Sequence, residues 1–369
     1  MIHKKNILIL TSTTTGNGHI SIARSLKKTF DTEYPDKYNV IIIDFFEDYS
    51  AKILKKAIHS YSGLIRHAPS IYSAGYHVTD SEKRFLPIFA VLKIQTRNKI
   101  NKLIEEYNPD IVISVHPLLN HVVSKTLNKQ NIPFVILITD LLNVYQSWFD
   151  KNSTLHIAPT KYVDMECLKH KILNVKTYAI PIDPKFSIRI NKNGIYKKYN
   201  LSKDKKTILI TSGGFGTIKA KKIIEKFNYL YDKYQIIVVN GQNQKSKESI
   251  DKMKKQIKVL NFGFVDNMYE LMSISDFAIS KAGAITLQEL ISKGVIPIVI
   301  EFINGQEKGN IQYIKKEKIG IVAEQNYFGV IEELVNDPRK IDKIKNNMLK
   351  LKDINSRKKI VKEIIKIIN

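Results

Sequence analysis

Short runs of branched and aromatic apolar residues alternate, almost from end to end, with segments whose apolar positions recur every three or four residues. Runs of the first kind, such as Ile7 to Leu10 or Ile296 to Ile300, have the length and composition of buried parallel strands. Segments of the second kind are helical: Ile22, Leu26 and Phe30 fall on one face of such a segment. Strands are predicted near 6–11, 39–44, 110–115, 133–139, 154–158 and 175–180, and again near 207–212, 235–240, 258–261, 276–280, 296–300 and 320–323. Helical patterns between successive strands make parallel βαβ units, so an α/β chain with two doubly wound parallel sheets is expected.

Between the two series, Ile180-Pro181-Ile182-Asp183-Pro184 has two prolines that interrupt helix and ladder alike, and a polar stretch follows to about Asp204. The expected organisation is a first lobe over 1–180, a linker over 181–204, a second lobe over 205–350 and a C-terminal helix over 351–369 that can cross back to the first lobe. A chain of 369 residues exceeds what one hydrophobic core usually organises, which suits two lobes. Every apolar run falls far short of the roughly 20 residues that a membrane-spanning helix needs. Met1-Ile2-His3-Lys4-Lys5 leads straight into a short strand without the pattern of a secretory signal, so a cytoplasmic location is expected. Cys167 is the only cysteine, which leaves no intramolecular disulfide and no cysteine zinc site; it reads as a small semi-buried residue.

Charge narrows the range of partners. The 59 Lys and Arg against 35 Asp and Glu give +24, which favours polyanions such as an anionic lipid surface or nucleic acid. Part of that surplus accompanies a general enrichment in Lys, Ile, Asn and Tyr, of the kind an AT-rich coding sequence produces. Its distribution says more: residues 49–102 hold ten bases and two acids, interleaved with Ile53, Leu54, Tyr61, Leu64, Tyr72, Phe85 and Phe89. Such a segment suits the headgroup zone of an anionic membrane, and packing on the lobe as ordinary amphipathic helices is the alternative. The chain has neither a zinc-finger pattern nor an RNP-type aromatic signature, so no nucleic acid partner is expected.

The candidate chemistry sits where strands give way to helices. The first strand ends in Thr11-Ser12-Thr13-Thr14-Thr15-Gly16-Asn17-Gly18-His19, a turn whose backbone amides and helix N-terminus can face a ligand. It is not a dinucleotide fingerprint, because Ser21 stands where the third glycine belongs, and it has no P-loop lysine. His19 near a helix N-terminus is expected to be kept neutral by the helix dipole, either as a general base or as a plain polar contact. The second lobe opens in the same way, with Gly213, Gly214, Phe215 and Gly216 leaving amides unobstructed for phosphate oxygens.

Residues 260–312 are the most specific. Gly263-Phe264-Val265 is followed by Ser280-Lys281-Ala282-Gly283-Ala284-Ile285-Thr286-Leu287-Gln288-Glu289, then by Asn304-Gly305-Gln306-Glu307. Gly283 and Thr286 fall at a helix start, where amides and a hydroxyl suit a diphosphate, and Glu289 lies almost one turn on, placed to accept from ribose hydroxyls. The alternative for Thr286 and Glu289 is a capping box that merely closes the helix.

With Ser114-Val115-His116-Pro117-Leu118-Leu119-Asn120-His121-Val122 and Thr139-Asp140-Leu141 added, six motifs occur in an order that resembles one family. It comprises the monogalactosyldiacylglycerol synthases and the bacterial processive diacylglycerol glucosyltransferases, which are related to the enzyme that adds N-acetylglucosamine to lipid-linked muramyl peptide. The resemblance runs from about residue 6 to 323. It implies a GT-B fold, two Rossmann-like lobes with an interdomain cleft, and an inverting transfer of glucose or galactose from UDP-glucose or UDP-galactose to diacylglycerol. It implies that His19 is the base or an acceptor-orienting group, with Gly16, Asn17, Gly18, His116, Asp140, Tyr145 and Trp148 around the acceptor. The donor would meet Gly213, Gly214, Phe215, Gly216, Phe264, Val265, Gly283, Ala284, Thr286, Glu289, Gln306 and Glu307.

A cationic loop and helix dipoles would stabilise the leaving diphosphate, with no metal and no cofactor; consistently, the chain has no Asp-x-Asp. The resemblance further implies peripheral attachment to the inner face of the cell membrane. One departure stands out: many family members have a histidine three residues before the tryptophan, and here Tyr145 occupies that position before Trp148. Another lipid or small-molecule acceptor, a UDP-sugar 2-epimerase and a non-enzymatic binder of anionic surfaces remain the alternative readings.

Overall fold

The computed structural model describes residues 4–13, 17–48, 96–211, 213, 218–303, 305 and 307–369, with Val122 described by its backbone alone. The predicted apolar runs are strands, and each series forms its own parallel sheet. The first sheet holds β1 (Lys5–Thr11), β2 (Tyr38–Asp44), β3 (Ile111–Ser114), β4 (Phe134–Leu137), β5 (Leu155–Ala158) and β6 (Val175–Thr177), in the order β2-β1-β3-β4-β5-β6. The second holds β7 (Lys206–Thr211), β8 (Tyr234–Val239), β9 (Val259–Phe262), β10 (Phe277–Lys281), β11 (Ile296–Glu301) and β12 (Ile321–Val322), in the order β12-β11-β10-β7-β8-β9.

The chain divides into two units. One comprises Met1–Pro184, Ile303–Gly309 and Asp353–Asn369, and the other Lys185–Phe302 and Asn310–Lys352. In the first, Leu8, Leu10, Val112, Phe134, Ile136 and the fully buried Trp148 belong to one core cluster, closed on one side by Val163 and Cys167 of the helix Lys161–Lys169. Cys167 is wholly buried, and burial pushes its thiol up to about 12. The helix Asn17–Glu33 lays Ile22, Ala23, Leu26 and Phe30 inward. The C-terminal helix Ser356–Ile368 belongs to the same unit, with Lys358 paired to Glu33 at 2.8 Å.

In the second unit the core is built from branched residues of the central strands, such as Ile208, Ile210, Ile236, Ile279 and Ile298. The helix Lys192–Lys198 is capped by the Asn191 side chain, and Gln235 on β8 pairs with the backbone of Ser202. The helix Ala284–Lys293 stops at Gly294, whose φ of 71° is the left-handed conformation that closes many helices.

Strand order identifies where each sheet can bind. In the first, the chain leaves β1 for β2 on one side and returns to β3 on the other; in the second, β8 and β10 flank β7 in the same way. At such a reversal the loops beyond the carboxyl ends of the two central strands diverge and open a crevice, the usual ligand position in doubly wound sheets. The crevices therefore lie beyond Thr11 and Ser114 in one unit and beyond Thr211 and Lys281 in the other. Most of the basic, aromatic segment 49–102 lies outside the described residues; from 96 onward it is helical, to 107. No described helix is long and apolar enough to cross a membrane.

Candidate active site

At the first reversal, His19 stands in the opening turn of the helix Asn17–Glu33 and forms a hydrogen bond from its Nδ1 to the carbonyl oxygen of Val115, 2.6 Å away, just past β3. A carbonyl only accepts, so Nδ1 carries the proton and Nε2 keeps its lone pair. The ring is half-buried, and its desolvation lowers its pKa to about 4, partly offset by the Val115 bond. The imidazole is neutral as the sequence suggests, but desolvation is the main cause rather than the helix dipole.

His116 lies 4.7 Å from His19, edge to face. Its Nδ1 accepts from the Leu118 N–H at 3.3 Å and caps the short turn Pro117–Leu119. Burial and the neighbouring His19 hold its pKa well below the ordinary histidine value. His116 thus caps the turn Pro117–Leu119 and also stands beside His19. Trp148 stands on the other side, 6.5 Å from His19 between ring centres, and its indole N–H donates to Asp140 Oδ2 at 2.9 Å. Asp140 is half-buried, and its desolvation raises its pKa to about 6; the indole bond opposes that rise and the Glu307 carboxylate of the same unit adds to it. Tyr145 is half-buried against the core cluster, at the head of the turn Gln146–Trp148. Asn17 and Gly18 open the His19 helix; Gly16 lies outside the described residues.

A supporting network behind Trp148 is not legible as a motif. His156 on β5 meets the Trp148 carbonyl oxygen through Nε2 at 3.2 Å, and its Nδ1 meets the Ser153 hydroxyl at 2.9 Å. Asp150 accepts from Ser124 at 2.6 Å and pairs with His121 at 3.0 Å. Burial pushes the Asp150 carboxyl up, yet its bonds from His121, Ser124 and Asn152 prevail and hold it below the ordinary carboxylate range. His121 is thus part of the scaffold that carries Trp148, and His156 lies on a strand whose four residues are all buried, so no alternation in the sequence marks it.

At the second reversal, Gly213 has a φ of 68°, and the Lys281 Cε lies 3.6 Å from where a Cβ on Gly213 would stand. The end of β10 is thereby brought beside the glycine-rich turn; Gly214, Phe215 and Gly216 lie outside the described residues. A register shift at Ser280 and Lys281 turns the chain out of the sheet. Ala282 is then held on both sides, its N–H donating to the Glu301 carbonyl at 3.1 Å and its carbonyl accepting from the buried Asn310 side chain at 2.9 Å. Gly283 is the N-cap of the helix Ala284–Lys293 and no side chain bonds into the cap.

The capping-box alternative for Thr286 and Glu289 is therefore excluded. The amides of the first turn have no earlier carbonyl to bond, and with the helix dipole they make an anion-binding end. Phe264 is 69% exposed on the turn beyond β9, with Val265 beside it. Of the last motif, Glu307 is buried and accepts from the Ile303 N–H at 2.9 Å, and Gln306 lies outside the described residues.

Residues 19–182 match the family model for monogalactosyldiacylglycerol (MGDG) synthase, and residues 207–368 match the glycosyltransferase family 28 C-terminal domain. A probable monogalactosyldiacylglycerol synthase 2, chloroplastic, of Oryza sativa subsp. japonica is 31% identical over 333 residues, which cover 86% of this chain and 71% of the relative. The chain belongs to the monogalactosyldiacylglycerol synthase family. Monogalactosyldiacylglycerol synthase 2, chloroplastic, of Arabidopsis thaliana is 29% identical over 86% of this chain and 70% of its own length. Family membership makes the chain a UDP-sugar-dependent hexosyltransferase acting on a lipid.

Among solved structures, MurG of Acinetobacter baumannii matches with a TM-score of 0.62 at 11% identity, over 99% of this chain and all of that one. UDP-GlcNAc 2-epimerase of Neisseria meningitidis bound to UDP-GlcNAc matches at 0.63 and 15%, over 98% of this chain and all of that one. At such identities they establish the fold alone, which is GT-B.

Proposed function

We propose that the chain transfers galactose from UDP-galactose to the free hydroxyl of diacylglycerol, giving a β-galactosyl lipid and UDP. The names of its plant relatives support the sugar and the acceptor. The observation that carries the chemistry is the His19 tautomer: with Nδ1–H committed to Val115, Nε2 is the ring nitrogen left to accept a proton.

In the reaction, the acceptor hydroxyl gives its proton to His19 Nε2 as its oxygen attacks the anomeric carbon. The bond from that carbon to the diphosphate oxygen breaks, UDP leaves on the opposite face, and the configuration inverts. A base with a pKa of about 4 takes the proton only late, once the forming C–O bond has made the hydroxyl acidic. Negative charge on the departing diphosphate is met by the amides of Ala284, Ile285 and Thr286 and by the Lys281 ammonium. Phe264 and Val265 flank uracil, Glu289 takes ribose hydroxyls, and Gln306 and Glu307 hold the sugar. His116, Asp140, Tyr145 and Trp148 line the acceptor side. The reading draws on no resident metal or cofactor, and it includes peripheral attachment to the inner face of the cell membrane.

The test is incubation with diacylglycerol vesicles and UDP-galactose or UDP-glucose, followed by analysis of released UDP and lipid products. Galactolipid with stoichiometric UDP is expected. A product from UDP-glucose alone would reassign the donor, and no lipid product with either sugar would refute the reading.

A further inference from the structure

Among the described residues of the first unit, the large apolar side chains left exposed lie on the helix Lys161–Lys169 and in the turn that follows it. Met165 and Leu168 are 57% and 54% exposed, and Leu173, just beyond the helix, is 84% exposed. Met165 and Leu168 are three apart on one helix and so are neighbours on its surface, and large apolar side chains exposed in this way with a basic rim mark an interaction surface rather than ordinary scatter. The rim is basic: over 161–177 the exposed residues are Lys161, Met165, Leu168, Lys169, Lys171, Leu173, Asn174, Lys176 and Thr177, with no acid among them. Both acids of the helix are committed inward or sideways, Glu166 to the backbone of the 140–148 loop and Asp164 to the Thr177 hydroxyl at 3.0 Å.

The same helix is stitched to the acceptor side of the site. The Glu166 carboxylate accepts from the Asn143 N–H at 2.8 Å and from the Val144 N–H at 3.0 Å, one oxygen to each. The hydroxyl of Thr160, the helix N-cap, donates to the Leu141 carbonyl at 2.8 Å, and His170 at its far end stacks on Phe149 at 4.0 Å. These bonds hold the 141–149 loop, which follows Asp140 and carries Tyr145 and Trp148.

We propose that Met165, Leu168 and Leu173, with Lys161, Lys169, Lys171 and Lys176 around them, form a docking patch for an anionic lipid bilayer. The occupant is argued from charge complementarity: a rim of four lysines without exposed acids is matched to phosphate headgroups, and three apolar side chains reach just below that level. The patch rests on the lipid-acceptor reading for its purpose. Docking would set the Glu166-anchored loop at the bilayer surface from which the acceptor enters.

The experiment is co-sedimentation with vesicles of phosphatidylcholine alone or mixed with phosphatidylglycerol, with no sugar donor present, so that it reads binding whatever the enzyme transfers. The full chain is expected to favour the anionic vesicles. The combined Met165→Ser, Leu168→Ser and Leu173→Ser variant, which keeps the charge, is expected to bind them on the order of tenfold less. Replacing the four lysines with glutamine should produce a similar loss and flatten the salt dependence. Circular dichroism and UDP binding should match the parent in both variants. Binding unchanged in the serine variant would overturn the proposal, as would equal binding to neutral vesicles. A parent that sediments as a dimer and becomes monomeric in the serine variant would also overturn it, by making the patch a contact between two copies.

Discussion

His19 donates its Nδ1–H to the carbonyl oxygen of Val115, 2.6 Å away, and this bond decides which ring nitrogen can act on a substrate. Removing the imidazole removes Nε2. His19→Ala is therefore expected to lower kcat by about 10²- to 10⁴-fold while UDP affinity stays within about twofold. Single-turnover kinetics beside calorimetric UDP binding checks the split, and unchanged turnover would take His19 out of the base role.

Asp140 contributes a second titration. Desolvation raises its folded pKa to about 6 from an ordinary 3.8, so the folded state holds its proton to higher pH than the unfolded chain does. Its favourable contribution is complete below pH 3.8 and is lost as pH rises through 6, which leaves an ionised Asp140 costing about 3 kcal/mol at neutral pH. Asp140→Asn should raise the melting temperature at pH 7 to 8, with the gain vanishing below pH 4, while activity falls. The acid limb of kcat/KM near pH 6 should move towards 4, where His19 titrates. A melting gain equal at pH 4 and pH 8 would contradict the assignment.

The bare N-cap at Gly283 separates binding from helix stability at Thr286. A capping-box threonine would cost about 1 kcal/mol on removal, whereas here no side chain bonds into the cap. Thr286→Val is expected to leave thermal stability unchanged and to raise the KM for the UDP-sugar several-fold. Thermal melts and initial rates distinguish the two outcomes.

Lys281 reaches the glycine-rich turn with its aliphatic stem, 3.6 Å from the Cβ position of Gly213. Lys281→Gln keeps much of that stem and removes the charge. A fall in kcat of at least tenfold is expected, with a smaller effect on KM, because charge on the diphosphate grows as the bond breaks. An equal loss of ground-state UDP-sugar binding and of turnover would point to uniform binding instead.

Much of the fold is legible because branched runs such as Ile7 to Leu10 and Ile296 to Ile300 are specific to buried parallel strands, and the observed strands begin and end close to the predicted ones. The turns after β1, β7 and β10 are also legible, since the glycines and His19 stand at strand ends. What escapes the sequence is the pairing between distant segments. Val115 lies 96 residues from His19, so the tautomer and the desolvation that lowers the histidine's pKa are set by the fold. The same holds for His156 behind Trp148, which is one more residue of an apolar strand until β5 is placed beside β4. Thr286 and Glu289 leave two readings open in the sequence, a ligand-facing helix start and a capping box, and the position of Gly283 as N-cap one turn earlier decides against the box.

The most direct measurement of the central claim uses UDP-galactose and UDP-glucose in competition on diacylglycerol vesicles. Because the two hexoses have the same mass, the lipid product is hydrolysed to identify the sugar, and its anomeric coupling is read by nuclear magnetic resonance. The account predicts a β-linked galactosyl lipid formed in step with UDP and lost in His19→Ala. An α-linked product, or UDP released with no sugar on the lipid, would contradict it.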